Sequence, residues 1–566
     1  MYYHSFLKKN MKKKLLFIIL INISIIALGQ TSINGLINNN TNWTVEYSPY
    51  IITGNTLVVN GITLTIEAGV SIKFNNNTTM QVNGELKAIG TNENKITFSS
   101  NNTSQNKGDW NHILFSDSSV DANYDSGGNY QSGSIIKYCD FSYGGGIDLG
   151  ILNINKSQPH IEHSTFSNSS SDGIYINNAN PKIDNCTISN NNGAGVLSPK
   201  YLYENDIEIS NSTINKNVGG GIQIESSGNG TLKFINNNIS NNSKNAIFIY
   251  SSGGSGSGNI IIENNTINNN SNSNGASIFI DGGFDVDIKC NTITNNTGTS
   301  SSGMYIRRGY NPYTLNITNN LISKNISTSG DIIHLDFSYS YPTTLNFHDN
   351  YITDNNSQNT SVINLIGHPN LSIFDVKRNT FTKNNGSNLF KLKWFKGSIS
   401  NNNIFENSVD YLIYNLNEAT ESTINAKNNF WGTSDINTIN IYDWFDNGSL
   451  SIVELNPILN IATNTENDND CVHNNLSISD IDLKNIEYLI WPNPFDDKFK
   501  ISANSIENLS LEIEIYSIRG NLIKKQSIEN YKEYITIQRG SLTSGIYLCR
   551  IIIDNKYTST VKLIAK

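Results

Sequence analysis

One short phrase recurs down the middle of the chain: a small polar residue, any residue, then Ile or Phe, with Asn close behind. It reads Cys186-Thr187-Ile188, Ser212-Thr213-Ile214, Asn237-Asn238-Ile239, Asn265-Thr266-Ile267, Asn291-Thr292-Ile293, Asn320-Leu321-Ile322, Asn350-Tyr351-Ile352 and Asn379-Thr380-Phe381. Weaker copies fall at Phe141, Phe166, Phe405 and Phe430. Successive copies lie roughly 22 to 30 residues apart, the spacing of stacked repeat architectures. Within one period, Ile214 to Ile239, the alternating runs Ile222-Gln223-Ile224-Glu225 and Thr231-Leu232-Lys233-Phe234-Ile235 are separated by Gly-rich and Ser/Gly turns. Each period therefore holds three short strands. One such coil cannot bury its apolar side alone, whereas a stack of coils can. The predicted fold is all-β: a right-handed parallel β-helix solenoid with an apolar lumen, a dozen turns tall, with side-chain amides of the recurring Asn hydrogen-bonded in ladders along the axis.

Composition agrees. Charged residues make up 15% of the 566 residues and hydrophobic ones 37%. Asn, Ser, Thr, Ile and Gly dominate, which suits strands and tight turns rather than amphipathic helices. A net charge of −9 gives no basic footprint, so nucleic acid is not an expected partner. Lys12-Lys13-Lys14 and the apolar run Leu15 to Leu28, closing on Ala27-Leu28-Gly29-Gln30, read as an export signal cut after Gly29, with Met11 as the expected initiator. No later segment is long and apolar enough for a transmembrane anchor. The five cysteines are scattered and odd in number. Cys139 and Cys186 would lie two coils apart, too far to bridge, so small buried thiols are expected and a disulfide framework is not.

The repeat places side chains. About eight residues after a short-turn copy, or eleven after a long-turn one, an inward residue opens the same strand: Ile174, Val196, Ile222, Ile247, Ile278, Met304, Ile333, Ile363 and Phe390. Two-residue alternation then puts Tyr175, Leu197, Gln223, Phe248, Phe279, Tyr305, His334, Asn364 and Lys391 in one outward ladder. Asn177, Pro199, Glu225, Tyr250, Asp281, Arg307, Asp336, Ile366 and Lys393 form a second. Phe248, Phe279, Tyr305 and Tyr250 are the candidate binding residues, an exposed aromatic platform for sugar rings. Asp281, Arg307, Asp336 and His334 are the catalytic candidates. Two coils separate Asp281 from Asp336, about 9.6 Å between backbones, near the upper end of the inverting-glycosidase range of ~6.5–9.5 Å. The same three charged residues also read as a cross-strand salt-bridge ladder. No nucleophile elbow, phosphate loop or His/Cys metal cluster is present.

The chain resembles the right-handed parallel β-helix, or pectin-lyase-like, superfamily. Its opening coils carry the resemblance in Ser48-Pro49-Tyr50-Ile51, Leu64 to Val70, Gly84 to Thr91 and Gly108-Asp109-Trp110, and its closing coil in Asn428 to Thr433. That superfamily spans lyases, hydrolases, epimerases, adhesins and spacers, so the resemblance implies a fold and no single activity. Calcium is compatible with it, but no motif indicates a cofactor or metal; Glu466 to Asp470 do not match a known Ca²⁺ loop.

After a polar stretch the texture changes. Trp491-Pro492-Asn493-Pro494-Phe495, Leu511 to Tyr516, Ser517-Ile518-Arg519-Gly520 and Leu542 to Tyr547 predict a small antiparallel β-sandwich. This block resembles the type A C-terminal sorting domain of the type IX (Por) secretion system, with Trp491 where the family carries Tyr. The resemblance implies that machinery as a partner, and a secreted or outer-membrane-surface location. The expected organisation is signal peptide 1–29, β-helix 30–461, linker 462–485 and sorting domain 486–566. The favoured reading is a surface protein that binds glycan or cell-surface polymer on a lateral face. A polysaccharide lyase or glycoside hydrolase is the alternative, and a passive adhesin or stalk a further one.

Overall fold

The computed structural model describes residues 30–463, Cys471 and 488–566, less 148, 200–205, 227–229, 252–257, 273–274, 308–312, 339–340, 370, 504–510, 518–521, 529–533, 541 and 554–556. The expected signal peptide, most of the expected linker and the acidic stretch Glu466 to Asp470 lie outside these residues. The chain divides into two compact units, Met1–His473 and Asn474–Lys566.

The first unit is a parallel β-solenoid. Each coil contributes a strand to three sheets. The period considered above yields Thr213–Asn215 in the first sheet, Gly220–Glu225 in the second and Thr231–Ile235 in the third. The third sheet counts 16 strands, more than the dozen coils expected. The added coils lie at the two ends, where the recurring phrase is absent. The first and second sheets merge into 29 strands, because Tyr50–Val58 pairs with Ser71–Phe74 through one half and with Met80–Val82 through the other. The lumen is the core. The openers Ile174, Val196, Ile222, Ile247, Ile278, Met304, Ile333, Ile363 and Phe390 are all buried, and Phe98, Phe141 and Phe166 stack down its axis at 4.4 and 4.9 Å.

Two asparagine ladders lock the coils. In one, the backbone N–H and Nδ2 of Asn237 donate to Oδ1 of Asn265 at 2.9 and 3.1 Å. The pattern repeats through Asn291, Asn320, Asn350, Asn379 and Asn402 to Asn429. The second runs from Asn191 through Asn217, Asn242, Asn270, Asn296, Asn325, Asn355 and Asn384 to Asn407. Each Nδ2 also reaches back to a backbone carbonyl of the preceding coil, as Asn296 does to Ile267 at 3.0 Å. The residue before each of these Asn sits in the left-handed region: Asn236, Asn264, Asn295 and Asn319 have φ of 58, 56, 55 and 57°. Asn tolerates that conformation better than most residues. One composition bias thus serves both the corner and the buried amide beside it.

The ladder also sets the register, and corrects one expectation. The inward residue always falls two after the first-ladder Asn. Under Phe381 this is Ile404, paired in register and buried, and the next is Trp431 after Asn429. Phe405 and Phe430 are therefore one position out, and their half-exposed rings meet 6.1 Å apart.

The cysteine expectation fails in one respect. Cys290 is bonded to Cys471, with Cα atoms 5.4 Å apart. Cys290 occupies the left-handed corner, φ 60°, that Asn264 and Asn319 hold in adjacent coils. Its partner comes from beyond the last coil, where Thr463 already bonds the Asn403 side chain at 2.9 Å. Cys139, Cys186 and Cys549 are buried free thiols. Cys139 and Cys186 take the inward Asn-ladder place in early coils, each N–H donating to a Ser hydroxyl at 3.0 Å. Burial pushes the Cys186 thiol up to about 12, so it stays protonated and inert.

The second unit is antiparallel. Tyr488–Trp491, Lys498–Ala503 and Ile535–Gln538 form one sheet. Leu522–Ile528, Leu511–Ser517, Gly545–Ile553 and Tyr557–Ala565 form the other. Phe499, Ile501, Ile513, Ile515, Cys549 and Leu563 share their core.

Candidate functional site

The outer face of the second sheet carries the aromatic ladder in unbroken register. Phe248 pairs with Phe279, Phe279 with Tyr305, Tyr305 with His334, His334 with Asn364 and Asn364 with Lys391. Ring centroids are 4.9, 5.4 and 4.8 Å apart from Phe248 down to His334, with planes within 10° of parallel. The spacing is that of the coils, so each half-buried ring gives its faces to its neighbours. Ring edges, with their positive quadrupole, are what remain for a ligand. The row expected as a platform for sugar rings is, in its geometry, a strip lined by ring edges.

The second ladder follows two residues on, in the order Glu225, Tyr250, Asp281, Arg307, Asp336, Ile366 and Lys393. Tyr250 lies half-buried at the head of its charged part. Arg307 clasps the nearly buried Asp281 through Nε at 3.1 Å and through Nη2. Asp336 lies in register on the other side of Arg307, and its Oδ1 accepts the Ser338 N–H at 3.0 Å.

Sequence reasoning missed Asp331. This buried carboxylate accepts from His334 Nδ1 at 2.9 Å, from Asn364 Nδ2 at 2.9 Å and from the Ser361 N–H at 3.1 Å. A carboxylate only accepts, so His334 carries a proton on Nδ1. Strict two-residue alternation puts Asp331 on the inward side with Ile333, so the repeat pattern hid it; the pairing with the preceding coil shifts register between Ser301 and Met304, just where Asp331 sits.

The ladder also continues past its expected end. Lys391 pairs with Tyr414, and Tyr414 with Tyr442. Their rings stack at 4.7 Å, with Tyr411 against both at 5.7 and 5.5 Å.

On the third sheet, a hairpin of Asn123–Tyr124 and Tyr130–Ser132 overhangs a cavity of about 560 Å³ lined by Tyr124, Lys182, Glu208 and Lys233 among others. Lys182 Nζ lies 4.7 Å from the Tyr124 ring centre. Burial, and then Glu208, pushes the Tyr124 phenol up to about 12, so it remains a hydrogen-bonding OH. Nothing in the repeat pattern pointed to this cavity, because an insertion builds its wall. Among the described residues no group of three or more His, Cys, Asp or Glu could hold a metal ion, and no helix is long and apolar enough to cross a membrane.

Residues 35–149 match the family described as pectate-lyase like beta helix domain, and residues 489–566 match the secretion system C-terminal sorting domain. No curated protein matches the chain. One solved structure, the Dettilon tailspike protein (gp208), aligns at 12% identity over 58% of this chain and 61% of that one, with a TM-score of 0.16. That likeness is too low to carry an argument. The sorting domain marks the chain for type IX secretion and hence for release or display at the cell surface. The chain is thus a parallel β-solenoid protein that carries a pectate-lyase-like β-helix domain and ends in a secretion-system C-terminal sorting domain.

Proposed function

We propose that this protein is exported with the help of an N-terminal signal peptide and binds a glycan or other cell-surface polymer along the outer face of its second sheet, without turnover. The observation that carries the reading is the stack Phe248–Phe279–Tyr305–His334. It sets ring edges, a phenol, an imidazole and the Asp281–Arg307 pair in one line at the coil spacing. A polymer with a short repeat can meet such a line again and again, which a compact ligand cannot. The sorting domain supplies the location in which such polymers are met. Replacing Phe248, Phe279 and Tyr305 together with Ala should abolish binding on a polysaccharide array while the solenoid stays folded. Undiminished binding across the array would remove the reading.

A turnover reading draws on the His334–Asp331 pair, a carboxylate-held imidazole on the same strip. Absorbance from unsaturated products with uronate polymers, and a reducing-sugar assay with neutral ones, separates the two. Product formation that is lost in His334→Ala would replace binding by catalysis.

A further inference from the structure

At the far end of this strip lies a second group of aromatics, of a different kind. Tyr442 is seven coil steps beyond Phe248 on the same ladder, about 34 Å along the axis at about 4.8 Å per coil. Two and three residues after it come Trp444 and Phe445, which are 45% and 77% exposed. Their rings meet edge to face at 5.3 Å, so neither is consumed by a parallel stack. The loop that presents them is fixed. The buried Asp443 carboxylate accepts the Phe445 N–H at 3.0 Å and the Val453 N–H at 2.8 Å. Large apolar rings held out to solvent by a built loop mark an interaction site rather than a packing accident.

Between the two aromatic groups the strip turns basic. Lys391 and Lys393 project from it, and Lys393 Nζ lies 4.3 Å from the Trp394 ring centre. Among the described residues neither lysine has a carboxylate partner. Anionic groups on a ligand would supply the missing counter-charge.

We infer that Trp444 and Phe445, which follow the stacked Tyr442 by two and three residues, are a second subsite of the same strip, and that the ligand is a linear anionic polysaccharide lying lengthwise. One chain touches the edge-lined ladder at Phe248 to His334, sets carboxylates or sulfates over Lys391 and Lys393, and stacks a sugar face on Trp444 or Phe445. Only a ligand about as long as the strip, ~34 Å, can engage both ends at once. The inference rests on the binding reading above. It adds that affinity grows with chain length, because the second contact is made intramolecularly once the first is formed.

The test measures binding of the full chain to a soluble polyuronate, to its size-fractionated fragments shorter and longer than the strip, and to a neutral glucan. Fragments longer than the strip should bind at least about tenfold tighter than shorter ones, the worth of one good aromatic contact. Trp444→Ala with Phe445→Ala should erase that gain and leave short-fragment binding unchanged. Lys391→Gln with Lys393→Gln should flatten the salt dependence of polyuronate binding while preserving the circular dichroism spectrum. Length-independent affinity, or a Trp444/Phe445 variant equal to wild type, overturns the second subsite. Equal, salt-independent binding of the neutral glucan overturns the anionic assignment. Loss through the terminal pair with no effect of the Phe248/Phe279/Tyr305 variant overturns the first reading instead, and absence of all binding overturns both.

Discussion

Replacing Asn296 by Ala is the sharpest perturbation of the column. Its Oδ1 accepts the Asn270 N–H at 2.9 Å and Asn270 Nδ2 at 3.1 Å. Its own Nδ2 donates to Asn325 Oδ1 and to the Ile267 carbonyl, each at 3.0 Å. Alanine removes all four bonds; it leaves the Asn270 N–H buried without its partner, and takes one bond each from Asn325 Oδ1 and from the Ile267 carbonyl, whose strand stays paired with Thr292–Thr294. At about 1 kcal/mol net per hydrogen bond, plus about 1 kcal/mol or more for the stranded N–H, the local loss is about 4–6 kcal/mol. The neighbouring Asn295 sits at the left-handed corner, φ 55°. Asn295→Gly should change stability by under about 1 kcal/mol, since Gly accepts that conformation freely. Native-state hydrogen exchange is the assay, because each coil contacts only its neighbours and the effect should stay local. Protection should drop at the coils of Asn270 and Asn325 and stay unchanged at the coil of Ile136. A loss below about 1 kcal/mol, or one spread evenly over all coils, would refute the ladder's structural role.

Other perturbations separate the remaining parts of the account. Burial lowers His112 to about 4 and raises Asp172 to about 6. The His112 contribution, about 3 kcal/mol, is present above its unfolded value of 6.5 and lost as pH falls through about 4. Asp172 contributes a similar amount with the opposite sign, present below 3.8 and lost as pH rises through about 6. The two nearly cancel between pH 6 and 4, so His112→Gln should become more stable on acidification and Asp172→Asn less stable, as read by urea midpoints at both pH values. Non-reducing peptide mapping should return a Cys290–Cys471 pair, and Cys139, Cys186 and Cys549 should alkylate only after unfolding. Opening that bridge with Cys471→Ser should destabilise the solenoid by at most about 5 kcal/mol. Gly397→Ala would place a Cβ 1.9 Å from the Phe374 carbonyl oxygen at φ +143°; it should lower stability by about 2 kcal/mol or more, measured by thermal unfolding.

Much of this was legible in the sequence because a solenoid converts spacing into position. One inward Ile per strand and a two-residue alternation suffice to align Phe248, Phe279, Tyr305 and His334, since a slip of one residue would bury charge and expose the Ile. The reading faltered where local regularity ended. Phe405 looked like a landmark because it is aromatic, whereas Asn402 had already fixed Ile404 as the inward residue. Lys391 ended the ladder on paper because the next opener, Ile413, follows a different spacing, and Tyr414 and Tyr442 were lost with it. Cys290 was read as a packed thiol, although its place just before a ladder Asn is a corner, from which a side chain can leave the column. The orientation of the rings could not be read at all: spacing puts them in a row, but only their packing decides that faces meet and edges show.

A crystal structure of the secreted protein with a bound polyuronate tests the central claim most directly. The account predicts sugar density lying parallel to the solenoid axis over Phe279, Tyr305 and His334 and running on toward Lys391 and Trp444. Density seated instead in the cavity beneath Tyr124, or crossing the coils rather than following them, would contradict it.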